Sequence, residues 1–339
     1  MKKVEGRRLG GLGAGRVLSG AASAGLLIVC GVGCGAEAPD HQRFVEVIPQ
    51  GSEVAVAGPD SASARSTTQT SGGPKAHALG SDLPQGPWAE SYALTRSVRD
   101  GVNHLTADIL GSVWWLVTEV PPSDVSQDEA TWGPYDDALK PSLMRFRVTA
   151  LGGDVYEYVL DGRPKAQPDG AYLTVMTGIG YGRAHPEHRN GQFRIDLDTA
   201  RALDPFEHQD DGTGVVFVQH WLAGDAHRII ADHHESADAK FWTAESIELP
   251  DGTGTLFIDA LDDLDDSATP ALESITLASR WRADGAGRAD YSFTGGDVAE
   301  QLDATECWDP SFYATYFAAG TYAEGDGQSC AFSASVARP

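Results

Sequence analysis

After Pro121-Pro122 the apolar residues recur at every second position. Phe146 and Val148 alternate with Arg145 and Arg147, and Phe193, Ile195 and Leu197 alternate with Arg194, Asp196 and Asp198. A period of two sends successive side chains to opposite faces of a pleated strand, so one face is apolar and the other solvated. Further alternating or apolar runs lie near 154–160, 171–179, 214–222, 226–233, 240–249, 254–260, 272–281 and 287–294. Between or beside them stand Asp161-Gly162, Asn190-Gly191, Asp211-Gly212, Asp251-Gly252 and Asp284-Gly285, pairs that supply the positive φ angles of tight turns. A parallel sheet needs helix-length crossovers, and none is visible. About ten strands joined by short turns therefore predict an antiparallel meander.

Ahead of the prolines the period is different. Leu94, Val98, Val102, Leu105, Ile109, Val113, Leu116 and Val120 follow one another at steps of 3 or 4, which is one stripe of a helix. Pro121-Pro122 stops it, Gly101 and Gly111 weaken it, and Trp114 and Trp115 widen its apolar side. The fold expected is mainly β: a large curved antiparallel meander of about ten strands with an N-terminal amphipathic helix, 92–120, packed on it.

The N-terminus reads as an export signal. Lys2, Lys3, Arg7, Arg8 and Arg16 form a basic leader, and Val17 to Gly33 is apolar or small throughout. That run is too diluted by Gly, Ser and Ala for a membrane span, but it suits a secretory signal. It ends at Cys34, the expected lipidation site, with Val32 and Gly33 before it and a polar chain after it. Gly31 departs from the leucine-like residue usual in such a signal. The other reading is cleavage near Gly35 or Ala38 and a free secreted protein. Residues 34–86 are rich in Ala, Gly, Ser, Pro and Thr, as in SASARSTTQTSGGPKAHALG, and are expected to be a lipid-anchored flexible tether. The division is thus 1–33 signal, 34–86 tether, and 87–339 a single β-rich domain. Gly35 and Ala36 place no retention aspartate after Cys34, so the outer membrane is the expected address, on its periplasmic face or at the cell surface. Free periplasmic or secreted protein is the alternative.

Charge narrows the partners. The net charge is −24, and about −28 once 1–33 is removed. Such a surface repels nucleic acid. Cys307 and Cys330 are an even pair in an exported chain and predict a disulfide closing a loop of about 24 residues, stabilising by roughly 3 kcal/mol in the loop-entropy model.

Motifs that would carry chemistry are sparse. The chain contains no Gly-x-x-x-x-Gly-Lys-Ser/Thr loop, no Gly-x-Ser-x-Gly elbow and no His-Glu-x-x-His pair. His185, His188, His220, His227, His233 and His234 lack the spacing of a zinc site, and adjacent His233 and His234 must point to opposite sheet faces. Asp259, Asp262, Asp263, Asp265 and Asp266 could offer oxygens to calcium, but without the order of an EF-hand loop they read as a solvated turn. Trp308, Phe312, Tyr313, Tyr316 and Phe317 are expected to cover one end of the sheet.

The stretches WGPYDDALKP (132–141), FRIDLDTARALDP (193–205), GAGRADYSFTGGD (285–297) and ECWDPSFYATYF (306–317) resemble a group of predicted lipoproteins from myxobacteria-like bacteria, over roughly residues 90–335. The resemblance implies a location and carries no catalytic residues. In outline, a curved meander crossed by a helix is also similar to periplasmic lipoprotein carriers and lipid-binding lipoproteins.

The expected function is that of an exported, lipid-anchored envelope lipoprotein with a binding or structural role, no enzyme activity and no cofactor. Its partners are the membrane, through the anchor, and an apolar ligand or an envelope protein. One alternative is a carrier that holds an apolar or lipid ligand between helix and sheet, lined by Trp114, Trp115, Trp221 and Trp281. The other is a hydrolase in which at least two of Glu157, Asp196, Asp198, His220 and His234 converge on the polar sheet face.

Overall fold

A computed structural model describes residues 41–59, 88–208, 212–263, 271–296, 298, 300–336 and 338. Fifteen strands form one sheet in chain order, every neighbouring pair antiparallel. They are β1 (Asp124–Val125), β2 (Glu129–Tyr135), β3 (Ser142–Gly152), β4 (Val155–Pro164), β5 (Leu173–Tyr181), β6 (Gly191–Asp196), β7 (Val215–Ala223) and β8 (Ala226–His234). The rest are β9 (Phe241–Glu248), β10 (Gly254–Asp262), β11 (Glu273–Trp281), β12 (Gly287–Gly295), β13 (Leu302–Trp308), β14 (Ala314–Ala319) and β15 (Tyr322–Gly325). Among the described residues β1 and β15 do not pair with each other, so the sheet is open.

The expectation of about ten strands is corrected to fifteen. The ten alternating runs fall in β3 to β12. The additional strands lie at the two ends, where the alternation is hidden. In β2 it is interrupted by Gly133-Pro134, in β13 the buried positions include Glu306, and β15 is four exposed residues. Two local readings are corrected as well. Asp161-Gly162 is no turn but lies inside β4, where Asp161 pairs with Arg145 across the ladder and bonds the Arg145 and Arg147 guanidiniums at 2.9 and 3.1 Å. The alternation of FRIDLD stops at Asp196, whose carboxylate accepts from the Thr199 amide at 2.9 Å and caps a short helix at Leu197–Leu203.

One face of the sheet is buried. Most of its apolar residues from β2 to β13 belong to a single core cluster that also holds residues from the helix Glu90–Glu119 and from the segment 44–56. Among the described residues we number four α-helices, α1 (Gln42–Val45), α2 (Gly51–Val54), α3 (Glu90–Glu119) and α4 (Leu197–Leu203). Helix α3 would be about 45 Å long. Its buried Tyr92, Val102, Ile109, Leu110, Val113, Leu116 and Val117 lie in the cluster, and its Thr95 hydroxyl meets the Ser279 hydroxyl at 2.9 Å. The Ser91 amide in its first turn donates to the buried Glu306 carboxylate at 2.5 Å, an acid placed where the helix dipole is positive. Gly101 and Gly111 interrupt neither its length nor its packing, because both are on the exposed side.

The inner face makes room for large rings by leaving glycines opposite them. Gly254 pairs with Trp281 and Gly287 with Trp308, and a Cβ on either glycine would run into the paired indole. At this end of the sheet Phe312 stacks on Tyr92 with ring centroids 4.1 Å apart, and Trp88 lies 5.3 Å from Tyr313. The aromatic stretch after Cys307 thus covers the start of α3. Cys307 and Cys330 form a disulfide with Cα atoms 5.3 Å apart.

The tether expected over 34–86 is corrected for 41–59. Phe44, Val45, Val47, Ile48, Val54 and Val56 are buried in the core. Asn103 of α3 grips Val56 in both directions, accepting from its amide at 2.7 Å and donating to its carbonyl at 3.0 Å. The alternation FVEVIP and EVAVAG carries enough apolar surface to be buried, which the composition of the whole 34–86 stretch conceals. Residues 60–86 and the signal with Cys34 lie outside the described residues.

Candidate functional site

The segment 41–53 lies against the inner face of β5, β6 and β7, and sequence explains why the sheet admits it there. Gly178, Gly180 and Gly191 occupy inner positions across β5 and β6; Gly178 is covered by the Tyr158 ring, and Gly180 and Gly191 leave the face beside it open. A Cβ on Gly180 would collide with the Val47 carbonyl. Opposite Gly191, on β7, stands His220, whose Nε2 would lie 2.7 Å from a Cβ added there.

The segment does not fill the hollow. A cavity of about 660 Å³ remains, lined by His41, Glu46, Glu53, Trp114, Arg183, His188, Arg189 and His220 together with Val45, Ile48 and Val117. This is within the range of small-molecule sites. Its rim is built from pairs that tie the segment to the sheet. Arg183 bonds Glu46 at 2.8 Å, Arg189 bonds Glu53 at 3.1 Å, and His227 donates to the Glu53 carbonyl at 2.7 Å. The Trp114 indole of α3 donates to the Pro49 carbonyl at 2.7 Å, and His188 donates to the Tyr181 carbonyl at 3.2 Å.

His220 is the exception among these groups. It is 3% exposed, and neither ring nitrogen meets the geometry of a hydrogen bond among the described residues, the Arg189 backbone being close enough only to act weakly on the ring. Burial holds its pKa down at about 4, with Glu53 opposing the shift, the nearby His227 adding to it and the Arg189 backbone opposing it weakly. At neutral pH it is therefore an uncharged imidazole with one N–H and one lone pair unused, at the wall of a cavity. A polar group left so is costly unless something fills the space beside it.

Of the residues singled out by sequence, Trp114, His188 and His220 gather here and the others do not. Of the four tryptophans, only Trp114 lines the cavity. Trp281 is fully buried over Gly254, Trp115 is 62% exposed, and Trp221 lies on the other face of the sheet beneath the Arg228 guanidinium. Among the described residues the four lie apart, so the proposed lining is corrected: the space between helix and sheet is packed core at Trp281.

The carboxylate and histidine set is dispersed too. Glu157 and His234 are on the face opposite His220, and Asp196 and Asp198 serve α4 and the Gly214 amide. In the acidic stretch Asp259 pairs with Arg338 and Asp262 with Lys240 at 2.9 Å, while Asp265 and Asp266 lie outside the described residues. Among the described residues no group of three or more His, Cys, Asp or Glu side chains could hold a metal. His233 turns inward to the Thr213 carbonyl at 2.7 Å and His234 outward onto Phe241. The cavity residues that sequence reasoning passed over are Glu46, Glu53, Arg183 and Arg189. The available signal was the alternating glycine of TGIGY (177–181), which marks a place where another backbone approaches a strand.

No protein-family model, no curated protein and no solved structure matches this chain.

Proposed function

We propose that this chain is an exported, lipid-anchored envelope protein whose β domain binds a small molecule and performs no chemistry on it. The observation that carries the binding role is His220, a buried imidazole with both nitrogens unpaired at the wall of a 660 Å³ cavity. In this reading the sheet curves around α3. The helix stripe fills the space a lipid carrier would keep open, which favours the polar cavity as the binding place over the helix–sheet boundary. The acidic surface, at −24 net, argues against nucleic acid as a partner.

The signal-like leader, Cys34 and the resemblance to predicted lipoproteins support the anchor, with the outer membrane as the address. An acyl group on Cys34 would stand seven residues from His41, where the packed segment begins. At full extension seven residues span at most about 25 Å, so the domain would be held close to the bilayer.

Two measurements test this. Native mass spectrometry of the mature chain, extracted from its own envelope, is expected to show a mass in excess of the denatured chain, lost in H220Q. Equal native and denatured masses in both proteins would remove the binding role. Cell fractionation tests the anchor: C34A is expected to move the protein from the membrane to the soluble fraction, and an unchanged distribution would refute lipidation at Cys34.

A further inference from the structure

The chemistry of the occupant follows from what the cavity leaves unused. Its four strong charges already neutralise one another, Arg183 against Glu46 at 2.8 Å and Arg189 against Glu53 at 3.1 Å. The Trp114 indole N–H is taken by the Pro49 carbonyl, so the ring offers apolar surface only. Val45 and Val117 are apolar as well. The buried lining group left without a partner is the imidazole of His220, which can give one hydrogen bond and take one, and the Ser52 and Tyr181 hydroxyls and the His41 ring line the same space. An ionic ligand would have to open an ion pair or leave its own charge buried without a partner. A purely apolar ligand would leave both nitrogens of His220 unsatisfied.

We propose that the cavity takes a small uncharged ligand bearing a hydroxyl or carboxamide group, which exchanges hydrogen bonds with His220 while its apolar side lies against Trp114. This rests on the binding reading above. The segment 41–53, held by the two ion pairs, is the wall that encloses the ligand.

The test uses the full mature chain labelled with ¹⁵N-histidine. Three uncharged probes, N-acetylglucosamine, N-methylacetamide and glycerol, are titrated beside choline as a cation and glucose 6-phosphate as an anion. At least one uncharged probe is expected to shift the His220 ring nitrogens, and H220Q to weaken its affinity about tenfold. H220N serves if H220Q does not fold. Tighter binding of choline or glucose 6-phosphate than of every uncharged probe would overturn the ligand class and leave the binding reading intact. The class is likewise overturned if no uncharged probe moves the His220 resonances. If the chain also carries no native excess mass, the binding reading falls with it.

Discussion

Gly287 lies opposite Trp308 and Gly254 opposite Trp281, and at each place the missing side chain is what allows the indole to lie flat on the sheet. G287A forces the Trp308 ring off its seat and off the Gly285 carbonyl that its N–H reaches at 2.9 Å. The expected loss, read by urea denaturation, is about 1–3 kcal/mol or more, the usual size of an overpacked core. At His220 the effect is one of pH. Its neutral form is favoured by folding, because its pKa is about 4 in the folded chain against 6.5 for a free imidazole. The stability it contributes is fully present above pH 6.5 and is lost as pH falls through 4, by an amount on the order of 3 kcal/mol. The groups facing it, Glu53, His227, His188 and the paired Arg189, lie on the N-terminal segment, on β8 and on the loop before β6, and Glu53 moderates the shift. A denaturation series from pH 7 to pH 4 should show the slope in wild type and its loss in H220Q. Sequence alone names His220 as a candidate in a hydrolytic set with Glu157, Asp196, Asp198 and His234, partners that the structure places elsewhere. Its surroundings depend on Gly191, its pairing partner on the neighbouring strand β6, which no pattern local to His220 reveals.

Among the elements, α3 is the one whose local preferences can be improved. Gly101 and Gly111 are exposed, have no positive φ, and a Cβ on either would meet nothing within 4 Å. G101A and G111A should each raise stability by about 1 kcal/mol, since alanine removes chain freedom from the unfolded state and suits a helix. A melting temperature that fails to rise in either variant would mean the helix backbone is not as described. The strands show what alternation does and does not reveal. β3 to β12 each carry a run with an apolar period of two, although Asp161, Glu245 and Phe257 are buried on the opposite face. β13 hides its inward positions because one of them is Glu306, placed at the first turn of α3. Burial raises the Glu306 pKa, with the Ser91 N–H opposing. A raised acid favours folding below its free value near 4.5 and loses that contribution as pH rises through the folded value. E306Q should flatten this part of the pH profile. The segment 41–58 was hidden for another reason. Its apolar residues are few and sit in a stretch whose average composition is that of a linker, yet the sheet supplies the glycine trough that receives them.

At the scale of the molecule, the segment 41–58 belongs to the domain and is also the wall of its cavity. Six of its apolar side chains are buried. Each such burial contributes about 1.5–3 kcal/mol, against a total domain stability of about 5–15 kcal/mol. A chain beginning at residue 60 should therefore fail to unfold cooperatively in a thermal scan, whereas a chain beginning at residue 41 should melt as the mature protein does. Hydrogen–deuterium exchange of the full mature chain tests the placement most directly. The Val56 amide, bonded to Asn103, and the Ala57 amide, bonded to Ser246, are expected to exchange as slowly as the amides of β7 and β8, and more slowly still when the cavity is occupied. Exchange of residues 44–57 at the rate of an unfolded chain would contradict both the placement of the segment and the cavity it encloses.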